Sequence, residues 1–190
     1  MAISTVSQKG LDAPLSLTSP TLSGTTTATT ITSPASTALT LQTNNGTTAL
    51  TLTAAGYPLT PLRPSFCAYP NTTSGYSVSP LQYDATVNNV GGGYSTSTYR
   101  FTAPVAGTYF FSYSAWTANA TTTRCAFYKN GTAVGNATYP IGTRNQGGAS
   151  ENDSGSLIIT LALNDYIDIR CYEGAVAIFG TNYFLGYLIG

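Results

Sequence analysis

Few residues are available for chemistry, because the sequence contains no histidine and only 7% of its 190 residues are charged. Histidine is the commonest general base, so its absence excludes Ser–His–Asp and Cys–His arrangements. Asp165 and Asp168 lie three residues apart and would face opposite sides of a predicted strand, which makes them a poor carboxylate pair. We therefore expect a protein that is not an enzyme, with no catalytic residue and no cofactor.

One compact acidic segment has the side chains of a metal site. Glu151–Ser154 ("ENDS") brings two carboxylates, an amide and a hydroxyl together, and Ca²⁺ takes oxygen ligands of this kind. The number of ligands is short for a calcium site, and a solvated hairpin loop explains the segment without a metal. We therefore predict no metal site, with a calcium loop at Glu151–Ser154 as the alternative.

Aromatic side chains offer a second kind of binding chemistry. Tyr76, Tyr94 and Trp116 could form an exposed stacking platform for a sugar. Burial of Trp116 in the interior is the favoured alternative, since tryptophan is highly buried on average. The three residues are kept as a possible glycan platform, with burial as the alternative for Trp116.

Charge and hydropathy exclude other classes of partner. The formal net charge is zero, so nothing attracts a nucleic-acid backbone or an anionic membrane. The N-terminus has no basic region followed by an apolar one, and no apolar run reaches the length of a membrane span. We expect synthesis in a reducing cytoplasm, without membrane insertion. The three cysteines include no close pair, so Cys125 and Cys171 are interpreted as small buried hydrophobes.

The composition changes sharply near Tyr57. Only Lys9 and Asp12 are charged before it, whereas most aromatic residues follow it. Three prolines at positions 58, 61 and 64 favour an extended segment at the join. The sequence thus predicts a Thr/Ser/Leu-rich β-repeat anchor or shaft (1–56), a proline-rich linker (57–66) and a C-terminal knob (67–190).

The first part contains an internal repeat. "TALTL" occurs at Thr37–Leu41 and again at Thr48–Leu52, and Asn45-Gly46 between the copies is a strong hairpin signal. A short Leu/Thr hairpin cannot stabilise itself in water, so we expect it to pack with copies from other chains. A disordered Ser/Thr-rich linker is the alternative. The candidate anchoring residues are the leucines of this part: Leu15, Leu17, Leu39, Leu41, Leu50 and Leu52.

The knob is predicted to be all-β. Apolar runs recur at about ten-residue spacing with Gly, Asn and Pro turns between them, which favours an antiparallel sandwich. Two runs, "TYFFSY" and "YFLGYLI", are apolar on both faces, and such strands must be covered on both faces. One face fills the sandwich and the other needs a partner chain. The candidates for the core or the oligomer interface are Tyr109, Phe111, Tyr113, Tyr183, Phe184 and Tyr187.

The knob resembles the C1q/TNF-like jelly rolls in several consecutive blocks. "FTAPVAGTYFFSY" matches the family's aromatic block, Lys129-Asn130-Gly131 its turn, and "FLGYL" (Phe184–Leu188) its C-terminal block. Asn164 stands where members often have Gly before Asp165, and Asn tolerates the same left-handed turn. The resemblance implies a ten-stranded jelly roll that forms a homotrimer through aromatic residues near a three-fold axis.

The segment before the knob points to a class of protein. It has no Gly-X-Y period, so it is not a collagen stalk, and a Thr/Ser/Leu β-repeat before a C1q-like knob looks like a bacteriophage virion protein. We therefore expect a homotrimer on the virion surface, anchored by its N-terminal segment to the major capsid protein or a tail protein. It would be a capsid decoration (cement) protein or a short fibre able to bind the host surface.

Three alternatives remain. A receptor-binding tail-fibre tip would recognise a host glycan or protein through its loops. A polysaccharide-cleaving tailspike would need convergent carboxylates. A cellular C1q-like adhesin is disfavoured by the absence of a signal peptide.

Overall fold

The computed structural model describes residues 36–43, 45–71, 79–117, 123–136, 138, 140–145, 151–174 and 180–190. These residues form fourteen β-strands and no helix, which confirms the all-β prediction. In the described ranges no helix is long and apolar enough to cross a membrane. The strands are β1 Leu39–Gln42, β2 Thr48–Leu52, β3 Pro58–Leu59, β4 Ser65–Tyr69, β5 Ala85–Val90, β6 Tyr94–Ser95, β7 Arg100–Thr102, β8 Gly107–Thr117, β9 Thr123–Lys129, β10 Thr132–Ala133, β11 Gly142–Asn145, β12 Glu151–Leu161, β13 Tyr166–Glu173 and β14 Tyr183–Leu188.

The N-terminal sheet consists of β1, β2 and β3 in antiparallel order. β1 and β2 form the hairpin predicted around Asn45-Gly46, and Gly46 has the positive φ of 80° that such a turn requires. The register places Leu39 opposite Leu52 and Leu41 opposite Leu50, so the four leucines share one face. Part of the predicted proline-rich linker is a strand, because Pro58–Leu59 pairs with β2 as the third strand of this sheet.

Strands β4 to β14 form a sandwich of two antiparallel sheets. One sheet has the order β10-β9-β13-β7-β6, with β11 also pairing β9, and the other has the order β12-β8-β14-β4-β5. Two predicted turns are confirmed: Asn130 and Gly131 both have positive φ after β9, and Asn164 has φ 68° between β12 and β13. Asn164 therefore adopts the left-handed conformation expected of it from the resemblance.

Stacked and edge-on aromatic rings fill the space between the two sheets. The Phe66 ring lies 4.8 Å from the Tyr94 ring in a parallel stack, and 4.9 Å from the Phe184 ring in an edge-on contact. The buried phenols are satisfied by main-chain oxygens: Tyr83 donates to the Ser114 carbonyl at 2.9 Å, and Tyr94 donates to that of Tyr83 at 2.8 Å. Burial raises the pKa of both tyrosines, which therefore stay neutral.

The two ends of the sandwich differ in what they carry. At one end the chain enters from the N-terminal sheet, where Leu188 donates its N–H to the Pro64 carbonyl at 2.9 Å. At the other end Thr117 pairs with Glu151, where β8 ends and β12 begins. Strands β8, β11 and β13 end, and strands β9, β12 and β14 begin, at this second end, which we call the distal end.

Gly186 tests the packing of the aromatic interior. A Cβ at this position of β14 would press into the Phe111 ring and lie 2.9 Å from the Phe110 carbonyl oxygen. Because the interior is close-packed, we expect Gly186→Ala to lower the free energy of unfolding by about 1–3 kcal/mol. Urea unfolding followed by tyrosine fluorescence measures this loss.

Gly180→Ala is the matched control, since its Cβ would meet only the Pro70 carbonyl oxygen at 3.7 Å, an ordinary contact. Equal unfolding midpoints for the two variants would contradict the packing described for β14.

Candidate interaction surfaces

The aromatic residues singled out in the sequence divide between the interior and the surface. Tyr109, Phe111, Tyr113 and Phe184 are fully buried between the two sheets. Tyr183 is half-buried, and Tyr187 is 44% exposed on the opposite face of β14. The side chains of these strands thus alternate, and only the outward set is available to another molecule.

An apolar row crosses the outward face of the five-stranded sheet. Ile158 of β12 lies opposite Phe110 of β8, and Phe110 lies opposite Tyr187 of β14. Ile158 is 64% exposed, and the Phe110 and Tyr187 ring centroids are 5.4 Å apart. We call Ile158, Phe110 and Tyr187 the outer row. Half-buried Leu185 lies two residues from Tyr187 on the same face of β14.

Sequence reasoning identified the apolar character of both faces but did not include Phe110 or Ile158 among the candidate residues. The signal for Phe110 was present, because it has the opposite parity to Tyr109 and Phe111. The signal for Ile158 was weaker, since "LIIT" offers two adjacent isoleucines and only pairing with β8 shows which one faces outward.

The prediction that Tyr94 forms part of an exposed sugar platform is wrong. Tyr94 is only 4% exposed, because its ring stacks on Phe66 inside the sandwich, so it cannot form part of a surface platform. Trp116 is half-buried near the distal end of β8, opposite Asn152. Tyr76 lies outside the described residues. Only Trp116 remains as a described candidate for stacking on a ligand.

The acidic segment is also different from its predicted form. Glu151–Asp153 begins the long strand β12 and pairs with the end of β8, so it is not a hairpin loop. Asp153 is 1% exposed, and its Oδ2 accepts the N–H of Cys125 at 3.0 Å. In the part of the chain that the structure describes, no three acidic or cysteine side chains come together as metal ligands. Asp153 instead ties β12 of one sheet to β9 of the other.

An ionic cluster lies between β7 and β13 of the six-stranded sheet. Asp168 is fully buried, and it accepts hydrogen bonds from Arg100 Nε at 3.1 Å and from Arg170 Nε at 2.7 Å. The Arg100 guanidinium lies over the Tyr166 ring, and that of Arg170 lies over the Tyr128 ring. Both arginines are therefore held in place by a shared carboxylate and an aromatic ring, which makes this cluster part of the framework.

A groove of about 520 Å³ separates the N-terminal sheet from the sandwich. The β1–β2 hairpin contributes Thr43, Thr47 and Ala49 to its lining, and none of the four leucines of β1 and β2. Ala49 and Leu50 are adjacent in β2 and face opposite sides, so the leucine face points away from the groove. Leu41 and Leu52 on this face are 52% and 38% exposed. Leu15 and Leu17, the other anchoring candidates, lie outside the described residues.

Comparison with known proteins agrees with this architecture. The C1q domain family profile matches residues 65–189. The globular domain of zebrafish complement 1qA protein is similar in structure, with a TM-score of 0.50 and 22% identity over 67% of this chain and 98% of that chain. Murine APRIL, solved at pH 5.0, gives a TM-score of 0.51 at 14% identity over 66% of this chain and 98% of that chain. No curated protein matches the sequence significantly. At these identities the two structures show the fold alone.

The ionic cluster gives a quantitative prediction. Asp168→Asn removes the charge that holds two guanidinium groups, and we expect it to lower the free energy of unfolding by about 1–3 kcal/mol because charge-assisted hydrogen bonds at a buried group are lost. The measurement is chemical denaturation at neutral pH and low salt.

Glu173→Gln provides the control. Glu173 pairs with Arg124 at 2.8 Å but its side chain is 44% exposed, so we expect a loss of less than about 1 kcal/mol. A loss for Asp168→Asn no larger than that for Glu173→Gln would show that Asp168 is not essential to the framework.

Proposed function

This chain belongs to the C1q domain family, and on that premise we propose that it is a homotrimeric structural protein of the bacteriophage particle surface. C1q-like domains commonly form trimers and are typically non-enzymatic. Its N-terminal segment would attach it to the particle, and its sandwich would project from the particle with the distal end outward.

The outer row is the main observation in support of the proposed homotrimer. Ile158, Phe110 and Tyr187 form an apolar strip across three adjacent strands, and no other part of the described chain covers it. Burial of a large apolar side chain contributes about 1.5–3 kcal/mol, so a subunit gains stability when a neighbouring copy covers this strip. The sequence also has few charges, which makes it poorly suited to solubility as a free monomer.

The geometry of the two ends supports attachment through the N-terminal segment. The N-terminal sheet joins the sandwich at the end opposite the distal end, so a particle bound at one end leaves the other free. The leucine face of this sheet points away from the sandwich and is partly exposed. Its partners in the proposal are the same faces of neighbouring copies, together with the major capsid protein or a tail protein.

Two roles follow from this arrangement. As a capsid decoration or cement protein, the N-terminal segment would lie on the shell. As a short receptor-binding fibre tip, the distal end would bind a host-surface glycan or protein, and half-buried Trp116 near that end supports this second role. A polysaccharide-cleaving tailspike has less support, since Asp153 and Asp168 are buried in hydrogen bonds and ion pairs.

The homotrimer predicts a mass in solution. Light scattering of the full chain should give three times the 19.8 kDa of one chain. Tyr187→Glu places a charge in the outer row, which should dissociate the trimer because a buried unpaired charge is costly. Tyr187 is an exposed residue in the single chain, so its replacement should leave the monomer folded.

Leu163→Glu is the matched control, because Leu163 is 58% exposed in the turn between β12 and β13, away from the outer row. This variant should stay trimeric. A wild-type chain that remains a monomer at micromolar concentration would refute the homotrimer, and a Tyr187→Glu trimer would place the interface elsewhere.

The location on the particle needs its own test. Gold-labelled antibody against residues 57–190 should label the intact phage particle, and removal of residues 1–56 should leave a folded trimer that no longer joins particles. Label over the head supports the decoration role, whereas label at the tail tip supports the fibre role. Absence of label from particles, with the chain found elsewhere, would refute the virion proposal.

A further inference from the structure

Two cysteines that are distant in the sequence lie directly opposite each other in the six-stranded sheet. Cys125 of β9 is paired with Cys171 of β13. Side chains of directly opposite residues project from the same face of a sheet, so both thiols point toward the core. The spacing of 46 residues gives no local sequence signal for this pair, and each cysteine by itself has the pattern of a small buried hydrophobe.

The backbone hydrogen bonds define the type of this pair. Phe127 uses both its N–H and its C=O on the side of β9 that faces β10 and β11, with Ile141 and Val134 as partners. Cys125, two residues away, has its backbone groups on the same side. Its N–H is bonded to Asp153 and its C=O accepts the Tyr113 hydroxyl at 2.8 Å. The Cys125–Cys171 pair is therefore a non-hydrogen-bonded pair.

A non-hydrogen-bonded pair has the geometry that a disulfide needs. Directly opposite residues at such positions have Cα atoms about 4.5 Å apart, which lies within the range of about 4.4–6.8 Å found for disulfides. The pairing becomes irregular between Cys171 and Glu173, so β13 has a bulge next to the pair that can absorb a small adjustment.

The two thiols of this pair are not equivalent. A hydrogen bond from the Cys125 thiol lowers the pKa of Cys171, and the same bond raises the pKa of Cys125, which burial raises further. Cys171 is half-buried, whereas Cys125 is fully buried. Cys171 is thus the thiol that ionises first and that an oxidant reaches first.

We propose that Cys125 and Cys171 form an intrachain disulfide across β9 and β13 by exchange with a low-molecular-weight disulfide such as oxidised glutathione. The Cys171 thiolate attacks one glutathione sulfur, the glutathione S–S bond breaks, and one glutathione leaves as a thiolate that takes a proton. The Cys125 thiolate then attacks Cys171 Sγ in the mixed disulfide and releases the second glutathione. Two protein thiols are oxidised and one glutathione disulfide is reduced to two thiols.

The third cysteine provides an internal control. Cys67 lies in β4 of the other sheet, where its cross-strand partners are Leu185 and Asn88. It has no cysteine opposite it, so it stays a free thiol under the same conditions.

Trypsin separates the three cysteines for a direct measurement. It cuts after Arg124, Lys129 and Arg170, so Cys125 lies in the peptide 125–129 and Cys171 begins another peptide. The full chain is incubated with oxidised glutathione, blocked with N-ethylmaleimide, and digested without reduction. Mass spectrometry should show these two peptides joined and Cys67 alkylated.

Two further measurements use variants and stability. Cys125→Ser should hold one glutathione on Cys171, because the second thiol is absent, whereas Cys67→Ser should still form the cross-link. The oxidised wild-type chain should melt about 5–10 °C above the reduced chain, since the cross-link closes a long loop. The wild-type digest needs no variant, so a variant that fails to fold does not affect it.

Recovery of both peptides fully alkylated would overturn the proposal. A cross-link that involves Cys67, or glutathione that stays on wild-type Cys171 without a cross-link, would overturn it equally. The oligomeric state and the particle location do not enter this test.

Discussion

The packing of rings between the two sheets is the constraint on which the rest of the fold depends. Phe66 contacts rings from β6, β7, β8 and β14, so one side chain holds strands of both sheets in register. A slip of one residue in β8 or β14 would turn their buried rings outward and bring polar or small residues inward. Because the inward parity is set in this way, the outward parity is set as well, and Phe110 and Tyr187 must face away from the core. The outer row is therefore a consequence of the core.

Direct links between the sheets complete this arrangement with polar groups. The Tyr113 hydroxyl on β8 and the Asp153 carboxylate on β12 both bond the backbone of Cys125 on β9. These two bonds satisfy main-chain groups at the distal end of the sandwich, where buried polar groups would otherwise be costly. On the other side of β9, Cys125 lies opposite Cys171 of β13. The acidic residue, the tyrosine and the cysteine pair thus form one local structure.

Local signals in the sequence were enough to predict the strands and the turns. The features that they did not predict depend on pairing between strands that are distant in the sequence. Asn45-Gly46, Asn130-Gly131 and Asn164 each mark a turn through their own backbone preference, and the structure has turns at all three. A single tyrosine such as Tyr94 can lie on the surface or in the core, and its sequence neighbours do not distinguish the two. Only its stack on Phe66 in the folded chain shows that it is buried. The register of β12 against β8 likewise decides that Glu151–Asp153 is strand, and the register of β13 against β9 brings the two cysteines together.

The position of β4 has a mechanical consequence. β4 follows directly from the segment that enters the sandwich, and it is hydrogen-bonded on both sides, to β14 and to the edge strand β5. A pull between that entry point and a load at the distal end acts along β4, whereas the hydrogen bonds to both neighbours run across it. The backbone hydrogen bonds from β4 to β14 and from β4 to β5 are then loaded in shear at the same time. They break together and not one after another. The fold therefore resists a pull along this direction through hydrogen bonds that are loaded in shear.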